Sequence, residues 1–502
     1  MTAVVGVLNV CRLLARRTHN SAVLLVGSFA VMILVGTLLL KLPSCRALAA
    51  DGTVQPAADW NVALFTATSA SCVTGLIVEP TGSYWSSTGH FVIFCLFQIG
   101  GLGILTFGAF IAVLSGRRGL QFREARTLRD MLDAESVQGS RRLLLTILLF
   151  TFCLEGLGAV SLLGLWPELS SGDRIWWSVF HSVSAFCNAG FSLSDDGFLN
   201  LGGRWQVWGA VTMLIILGGL GFPVIEDIWL TGRRWLKRRR VPPLFHQPGK
   251  KPHLTLHSRL VLWTTTVLLI GGAVAWFTFE SLEAPDDSSA LQRTADAWFQ
   301  SVTFRTAGFN TVEHKLMHPV SKLLAIFLMF IGAAPGSTGG GVKTIVLAIT
   351  LLNIWAVFRG RDRIEVFGRC IPTNQVARAL SMIAVGVFIV MATTGLLVIF
   401  ERSTGVTKVT NVSQSHRAEE TTAVEAECQK FDFIDLMYEA TSAFATVGVS
   451  AGVTGQLSIH SQLLICVVMF LGRIGPITLL LAMAAPSDSD HYDYPEERVS
   501  LG

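Results

Sequence analysis

Thr66-Ala-Thr-Ser-Ala-Ser-Cys-Val-Thr-Gly-Leu76, His181-Ser-Val-Ser-Ala-Phe-Cys-Asn-Ala-Gly-Phe191, Gln300-Ser-Val-Thr-Phe-Arg-Thr-Ala-Gly-Phe309 and Glu439-Ala-Thr-Ser-Ala-Phe-Ala-Thr-Val-Gly-Val449 are four versions of one phrase. Each is a helix-compatible stretch of small and hydroxyl-bearing residues closing on a tripeptide that ends in glycine. The tripeptides are Val73-Thr74-Gly75, Asn188-Ala189-Gly190, Thr306-Ala307-Gly308 and Thr446-Val447-Gly448. Their glycines stand 115, 118 and 140 residues apart. Recurrence of this kind marks a chain built from repeated structural units, and it decides the fold.

The flanks repeat with the phrase. Apolar runs precede it at 21–42, 142–166, 258–280 and 376–400, and follow it at 90–115, 205–231, 320–357 and 460–484. Roughly 20 apolar residues cross a bilayer as a helix, whereas the about a dozen residues leading into each tripeptide reach only part of the way. The unit therefore reads as helix, re-entrant short helix with its loop, helix, and four units give eight spanning helices. The predicted fold is an all-α membrane protein with four tandem helix–pore-loop–helix repeats and pseudo-fourfold symmetry around one central pore. The repeats occupy residues 21–116, 141–232, 256–358 (with a broken last helix) and 373–485. A cytoplasmic segment 1–20, a polar external insertion 402–430 and a cytoplasmic tail 486–502 complete the chain.

Composition excludes the soluble alternatives. Of 502 residues, 51% are hydrophobic and only 15% charged, against about a quarter charged in ordinary soluble proteins. The mean hydropathy is +0.53. A net charge of +4 is too small for a nucleic-acid partner. The nine cysteines form no CxxC or Cys/His spacing that would hold zinc, so they read as structural thiols. Arg12, Arg16 and Arg17 before the run 21–40 imitate a signal peptide, but the run is too long and no small-residue cleavage site follows it. Basic stretches at 117–142, 233–259 and 359–378 alternate with acidic ones at 194–196, 283–287 and 419–427. The positive-inside rule then puts both ends of every unit, and both termini, in the cytoplasm, with each phrase entering from outside. Units that run the same way are related by an axis along the membrane normal, where four loops meet.

Non-helical backbone at membrane depth must be buried in protein or line a water-filled path. Four such loops on one axis offer rings of carbonyl oxygens that replace the hydration shell of a monovalent cation. Glycine aims its carbonyl inward from conformations other residues avoid, and the short helices point partially negative C-terminal ends at mid-membrane. The twelve tripeptide residues are thus the candidate cation site. The competing reading, packing glycines in small-xxx-small helix contacts, does not account for four matched copies.

Gln98-Ile-Gly-Gly-Leu-Gly103, Ala333-Ala-Pro-Gly-Ser-Thr-Gly-Gly-Gly-Val-Lys-Thr344 and Gly472-Arg-Ile-Gly-Pro476 complete the pattern. Over nearly its whole length the chain resembles the TrkH/TrkG/KtrB/HKT superfamily of potassium transporters and is most similar to the KtrB-like branch. The resemblance implies K⁺ uptake, coupled to or accompanied by Na⁺ in some members, with no cofactor in the chain itself. In the plant branch a serine at the first filter position accompanies sodium selectivity, so Gly75 points to potassium. The expected assembly is a homodimer in the lipid of the inner membrane, with one pore per chain. On its basic inner face the resemblance implies a cytosolic ring of nucleotide-binding RCK/KTN-type regulatory subunits.

The run 319–358 is nearly twice a span, and its middle carries Gly332, Pro335, Gly336, Gly339, Gly340 and Gly341, which cannot hold a helix. A break at membrane depth is expected there. The resemblance implies a gate formed by Gly336, Ser337, Thr338, Gly339, Gly340, Gly341 and Lys343. Arg473 lies in an apolar run, where a charge faces a cavity or a partner. It is expected beneath the filter, bonded to carbonyls of 332–341, or else paired with Glu155. Arg305 would repel a cation if it faced the axis, so it is expected to turn away and pair with Glu439 or Glu155. Residues 336–344 imitate a phosphate-binding loop but fail its spacing, because Val342 separates Gly341 from Lys343 and no strand precedes them. A membrane-embedded enzyme using His181 or Glu155 lacks any HExxH, GxSxG or paired-Asp motif. A sodium-coupled symporter for another small solute stands as the alternative, although symporters place broken helices at one midplane site rather than four.

Overall fold

A computed structural model describes residues 21–48, 53, 55–114, 137–199, 201–240, 253–281, 289–361, 363–404 and 431–475. The expected segments 1–20 and 486–502, and the insertion from 405 to 430, lie outside the described residues. Repeat 1 comprises α1 (Ser21–Leu40), the short α2 (Trp60–Ser71) and α3 (Ser87–Leu114). Repeat 2 comprises α4 (Val137–Leu162), the short α5 (Ser171–Cys187) and the pair α6 (Thr212–Gly219) and α7 (Phe222–Arg240). Repeat 3 has α8 (Leu256–Ser281), the short α9 (Ala290–Thr303), α10 (Pro319–Phe330) and α11 (Thr344–Phe358). A hairpin of β1 (Ile364–Val366) and β2 (Arg369–Ile371) leads to repeat 4, with α12 (Thr373–Thr404), the short α13 (Phe433–Phe444) and α14 (Ile459–Ile474).

Local sequence sets where the short helices begin. Ser170 and Ser289 accept the N–H groups of Asp173 and Gln292 three residues on, the arrangement of a serine N-cap. By length and composition, Leu256–Glu280 and Thr373–Arg402 each suffice to cross a membrane, and Gln206–Gly219 with Phe222–Trp235 does so as a bent pair. The expectation of one straight run at 205–231 is corrected here. A π-helical turn over Gln206–Val211 opens it, and a 99° bend at Leu220–Gly221 divides it. Gly221 takes φ +82°, and a Cβ there would lie 2.5 Å from Pro335 O. The bend is therefore made by close approach of the repeat 3 break, which local helix propensity does not register.

The repeats interlock, and each short helix packs into its neighbour. Phe180 on α5 meets Phe97 of repeat 1 edge-on at 5.3 Å, and Phe198 of repeat 2 packs on Phe309 of repeat 3 at 5.1 Å. Outward stripes at helical spacing, such as Leu149, Phe152, Leu157 and Val160 on α4 or Trp263, Val267, Ile270 and Val274 on α8, are exposed and apolar. Such a belt is costly in water and suited to lipid. Between repeats 3 and 4, Lys322 on α10 bonds Asp435 in the first turn of α13 at 2.7 Å and the Lys315 carbonyl at 3.2 Å. Asp435→Ala leaves a mostly buried ammonium without its counter-charge, held by Lys315 O alone, and is expected to cost about 3 kcal/mol. Thermal unfolding in detergent checks this, with the Lys322→Met/Asp435→Leu pair expected to lose less.

Candidate functional site

Three of the four short helices end alike, and the ends aim the tripeptides. In repeats 1, 2 and 4 the middle tripeptide N–H reaches back five residues: Thr74 to Ser69 O, Ala189 to Ser184 O and Val447 to Ser442 O, each 2.8 Å. The first tripeptide N–H bonds the carbonyl three back: Val73 to Ala70, Asn188 to Ala185 and Thr446 to Ala443. This is the Schellman termination, which needs a left-handed residue after the helix. Val73, Asn188, Thr306 and Thr446 hold that position at φ 56°, 58°, 73° and 51°. For β-branched Val and Thr it costs on the order of 1–3 kcal/mol, strain that the surrounding packing must hold. The phrase of repeat 3 is one residue shorter, and it closes with Ala307 N–H to Thr303 O instead.

The glycines then close a ring. A Cβ on Gly75 would lie 2.6 Å from Ala189 O; on Gly190, 3.0 Å from Ala307 O; on Gly308, 2.7 Å from Val447 O. On Gly448 it would collide with Thr74 O and stand 2.9 Å from the Gly75 Cα. Each glycine thus abuts the carbonyl that precedes the next repeat's glycine, and the fourth returns to the first. All twelve tripeptide residues lie in this assembly, every one buried except Gly190 and Gly308, which are partly exposed. Behind it, Ser69 and Ser442 accept the N–H groups of Gly75 and Gly448 at 3.1 Å. Outside it, the descending limbs are held by three different side chains at matching positions. His181 meets Ser192, Gln300 meets Thr311, and the Glu439 carboxylate accepts from Ser450, Ala451 and Thr454.

The segment from Ile331 to Lys343 lies directly beneath the ring. Ile331 and Val342 pair as a short parallel bridge. A Cβ on Gly339 would stand 3.2 Å from the Thr306 Cβ, and one on Gly340 3.1 Å from the Thr446 Cβ and from Ala445 O. The segment is tethered on several sides. Thr338 N–H donates to Gly218 O at 3.2 Å and its hydroxyl to Phe186 O at 3.3 Å. Phe222 N–H donates to Gly336 O at 3.0 Å, Ser337 bonds Ala334 O at 2.6 Å, and Lys343 Nζ bonds Gly339 O at 2.7 Å. Arg473, 4% exposed, donates to Thr338 O and, at 2.7 Å, to Gly100 O. Repeats 1 and 4 are thereby clamped to the break of repeat 3.

Arg305 differs from its expectation. It pairs with neither Glu439 nor Glu155 but donates to Thr265 O at 3.3 Å and Gly332 O at 3.1 Å. Glu439 is already occupied by its own limb, and Glu155 accepts from Gln98, at 3.1 and 3.2 Å, and from the Cys187 thiol. Arg305 instead takes a carbonyl that the break frees. Sequence reading quoted Gly100 and Gly472 only as parts of their motifs, without a packing role, and did not single out Gly218. A Cβ on Gly100, Gly218 and Gly472 would come within 3.0, 3.1 and 2.7 Å of the carbonyl carbons of Ser71, Phe186 and Phe444. They let the second helix of repeats 1, 2 and 4 press on the last turn of the short helix. They follow the tripeptide glycines at 25, 28 and 24 residues, a spacing too uneven to single them out by position alone.

Comparison with known proteins gives the family and the fold. The TrkH cation transport protein family matches residues 15–409 and 420–492. The chain is 34% identical over 491 residues to the potassium/sodium uptake protein NtpJ of Enterococcus hirae, covering 97% of this chain and 98% of that one. It is 34% identical to the Ktr system potassium uptake protein B of Vibrio alginolyticus (88% of each chain). It is 32% identical to the protein of the same description from Bacillus subtilis (96% of each). In fold it is similar to the potassium transporter TrkH from Vibrio parahaemolyticus, with a TM-score of 0.59, 19% identity, and coverage of 91% of this chain and 84% of that one.

Proposed function

Because this chain belongs to the TrkH family of cation transport proteins, we propose that it is the K⁺-translocating subunit of an uptake system. The observation that carries the reading is the closed ring of Gly75, Gly190, Gly308 and Gly448 with the carbonyls of Thr74, Ala189, Ala307 and Val447. Main-chain oxygens of the twelve tripeptide residues replace the water shell of the cargo ion as it enters. Two of the relatives carry potassium uptake in their names and a third adds sodium, which supports K⁺ as cargo with Na⁺ permeating or coupled. Potassium runs down its electrochemical gradient, each charge gaining about 2.3 kcal/mol per 100 mV of inside-negative potential. A symporter for another solute needs one asymmetric midplane site, and four matched loops favour an ion path instead. Expression in a cell lacking its own potassium uptake tests this: growth at micromolar K⁺ is the expected result, and no growth despite membrane insertion overturns it.

Gly336, Ser337, Thr338, Gly339, Gly340 and Gly341 form the gate below the ring, held shut by Lys343 and by the Arg473 bond to Thr338 O. Arg473 also places a positive charge under the ring, where it opposes a passing cation. Arg473→Gln is expected to raise tracer Rb⁺ flux several-fold in proteoliposomes, and an unchanged or lower flux in folded protein counts against this role. The chain works as a homodimer in the inner membrane, both termini cytoplasmic, with an RCK/KTN-type nucleotide-binding ring on its inner face. The Ktr system names of its relatives support a multi-component assembly. Reporter fusions at each terminus check the orientation.

A further inference from the structure

Ahead of the tripeptides of repeats 1, 2 and 4 stand Cys72, Cys187 and Ala445; in repeat 3 the place belongs to Arg305. The side chain is 7% exposed and no acid approaches it among the described residues. Its two terminal nitrogens are divided between a carbonyl of α8, Thr265 O, and a carbonyl at the near end of the break, Gly332 O. In an unbroken helix Gly332 O would accept the N–H four residues on; the break removes that partner and Arg305 supplies another. The adjoining residue, Thr306, holds the left-handed conformation at φ 73°. It also sits against Asn188 on one side and over Gly339 on the other. A guanidinium fixes two acceptors in one plane, so Arg305 is a strut joining the third tripeptide, α8 and the near end of the break.

Space is provided for the strut to release. A cavity of about 20 Å³, bordered by Ile215, Leu269, Val302 and Ala333, lies beside Arg305 and Thr265. That is room for about one water, and Arg305 Nε is buried with no partner in the protein. Once Gly332 O departs, the guanidinium has beside it, next to the unpartnered Nε, room for about one water. We propose that Arg305 couples the ring to the gate as a positioning residue: when the loop leaves, Gly332 O leaves with it, Thr306 relaxes, and ion preference changes with gate state. This rests on the filter and gate reading above.

The test is a double-mutant cycle in proteoliposomes, reading the ratio of Rb⁺ to Na⁺ tracer uptake. Arg305→Met in the intact chain is expected to lower the ratio about fivefold to tenfold, toward the low end of couplings between sites. Deleting 336–340 alone lowers it comparably, and Arg305→Met adds nothing to the deletion. Arg305→Lys, whose single ammonium holds one carbonyl at a time, falls between, and it serves if the Met variant does not fold. Equal losses that add in the two backgrounds, or no loss in either, overturn the coupling. Gly75→Ser measured alongside separates the readings: if it too leaves the ratio unchanged, the filter assignment itself has failed.

Discussion

Serine in place of Gly75 lowers the preference for K⁺ over Na⁺ by about tenfold or more, equivalent to roughly 1.4 kcal/mol between the two ions at the ring. The reasons are steric and conformational together. Gly75 holds φ +93°, and its missing Cβ is where Ala189 O and the Gly190 Cα already stand, at 2.6 and 3.0 Å. Those atoms are main chain and cannot swing aside as a side chain would. The added carbon must push the second loop outward, widening one side of a ring whose oxygens would otherwise close on a dehydrated ion. The hydroxyl then contributes a mobile oxygen where a fixed carbonyl stood, and a smaller, more strongly hydrated ion is penalised less. Competition between Rb⁺ and Na⁺ in uptake measures it. Gly308→Ser, whose Cβ would lie 2.8 Å from the Gly190 Cα and 2.7 Å from Val447 O, is expected to behave alike. Unchanged ion preference in both variants removes the filter assignment.

The ring was legible in the sequence because symmetry wrote it four times. A lone Val-Thr-Gly or Asn-Ala-Gly carries no fold information, but four copies with matched apolar flanks leave few alternatives. The break at 332–341 was legible for a different reason: five glycines and a proline are incompatible with helix whatever surrounds them. The bend of repeat 2 escaped notice because its cause is not local. Gly218, Gly219 and Gly221 sit in an otherwise apolar run, and isolated glycines are tolerated within helices. Only the arrival of Pro335 O and Gly336 O, more than a hundred residues later in the chain, makes a bend at Gly221 the better solution. Arg305 escaped for a related reason. Charge arithmetic pairs a buried arginine with an acid, whereas here the compensating acceptor is a main-chain carbonyl that exists only because α10 and α11 are separate helices.

Removal of residues 336–340 has the largest expected effect on transport: flux in the absence of any regulatory partner rises by an order of magnitude or more. Beneath the ring, the described structure offers an ion little except this loop to displace, since Gly339 and Gly340 stand within van der Waals reach of Thr306 and Thr446. The ties that keep it there are few and individually weak. They include the bonds of Thr338 to Gly218 O and Phe186 O, of Phe222 to Gly336 O, of Lys343 to Gly339 O, and of Arg473 to Thr338 O. At about 0.5–1.5 kcal/mol net for each neutral bond and about 1.5–3 for each charged one, the set is strong enough to favour closure. It is also weak enough for a docked partner to overcome. The deletion removes none of the residues in the interlocking contacts of Phe180 with Phe97 and of Phe198 with Phe309. The shortened chain is therefore expected to remain monodisperse and to keep a cooperative melt. It leaves Arg473 bonded to Gly100 O alone, so its guanidinium turns toward the vacated space and takes up water, and part of the electrostatic barrier persists. Adding Arg473→Gln to the deletion then raises flux again, by less than it does in the intact chain, because one of its two anchors has already gone. A deletion that folds and leaves partner-free flux unchanged would discredit the gate.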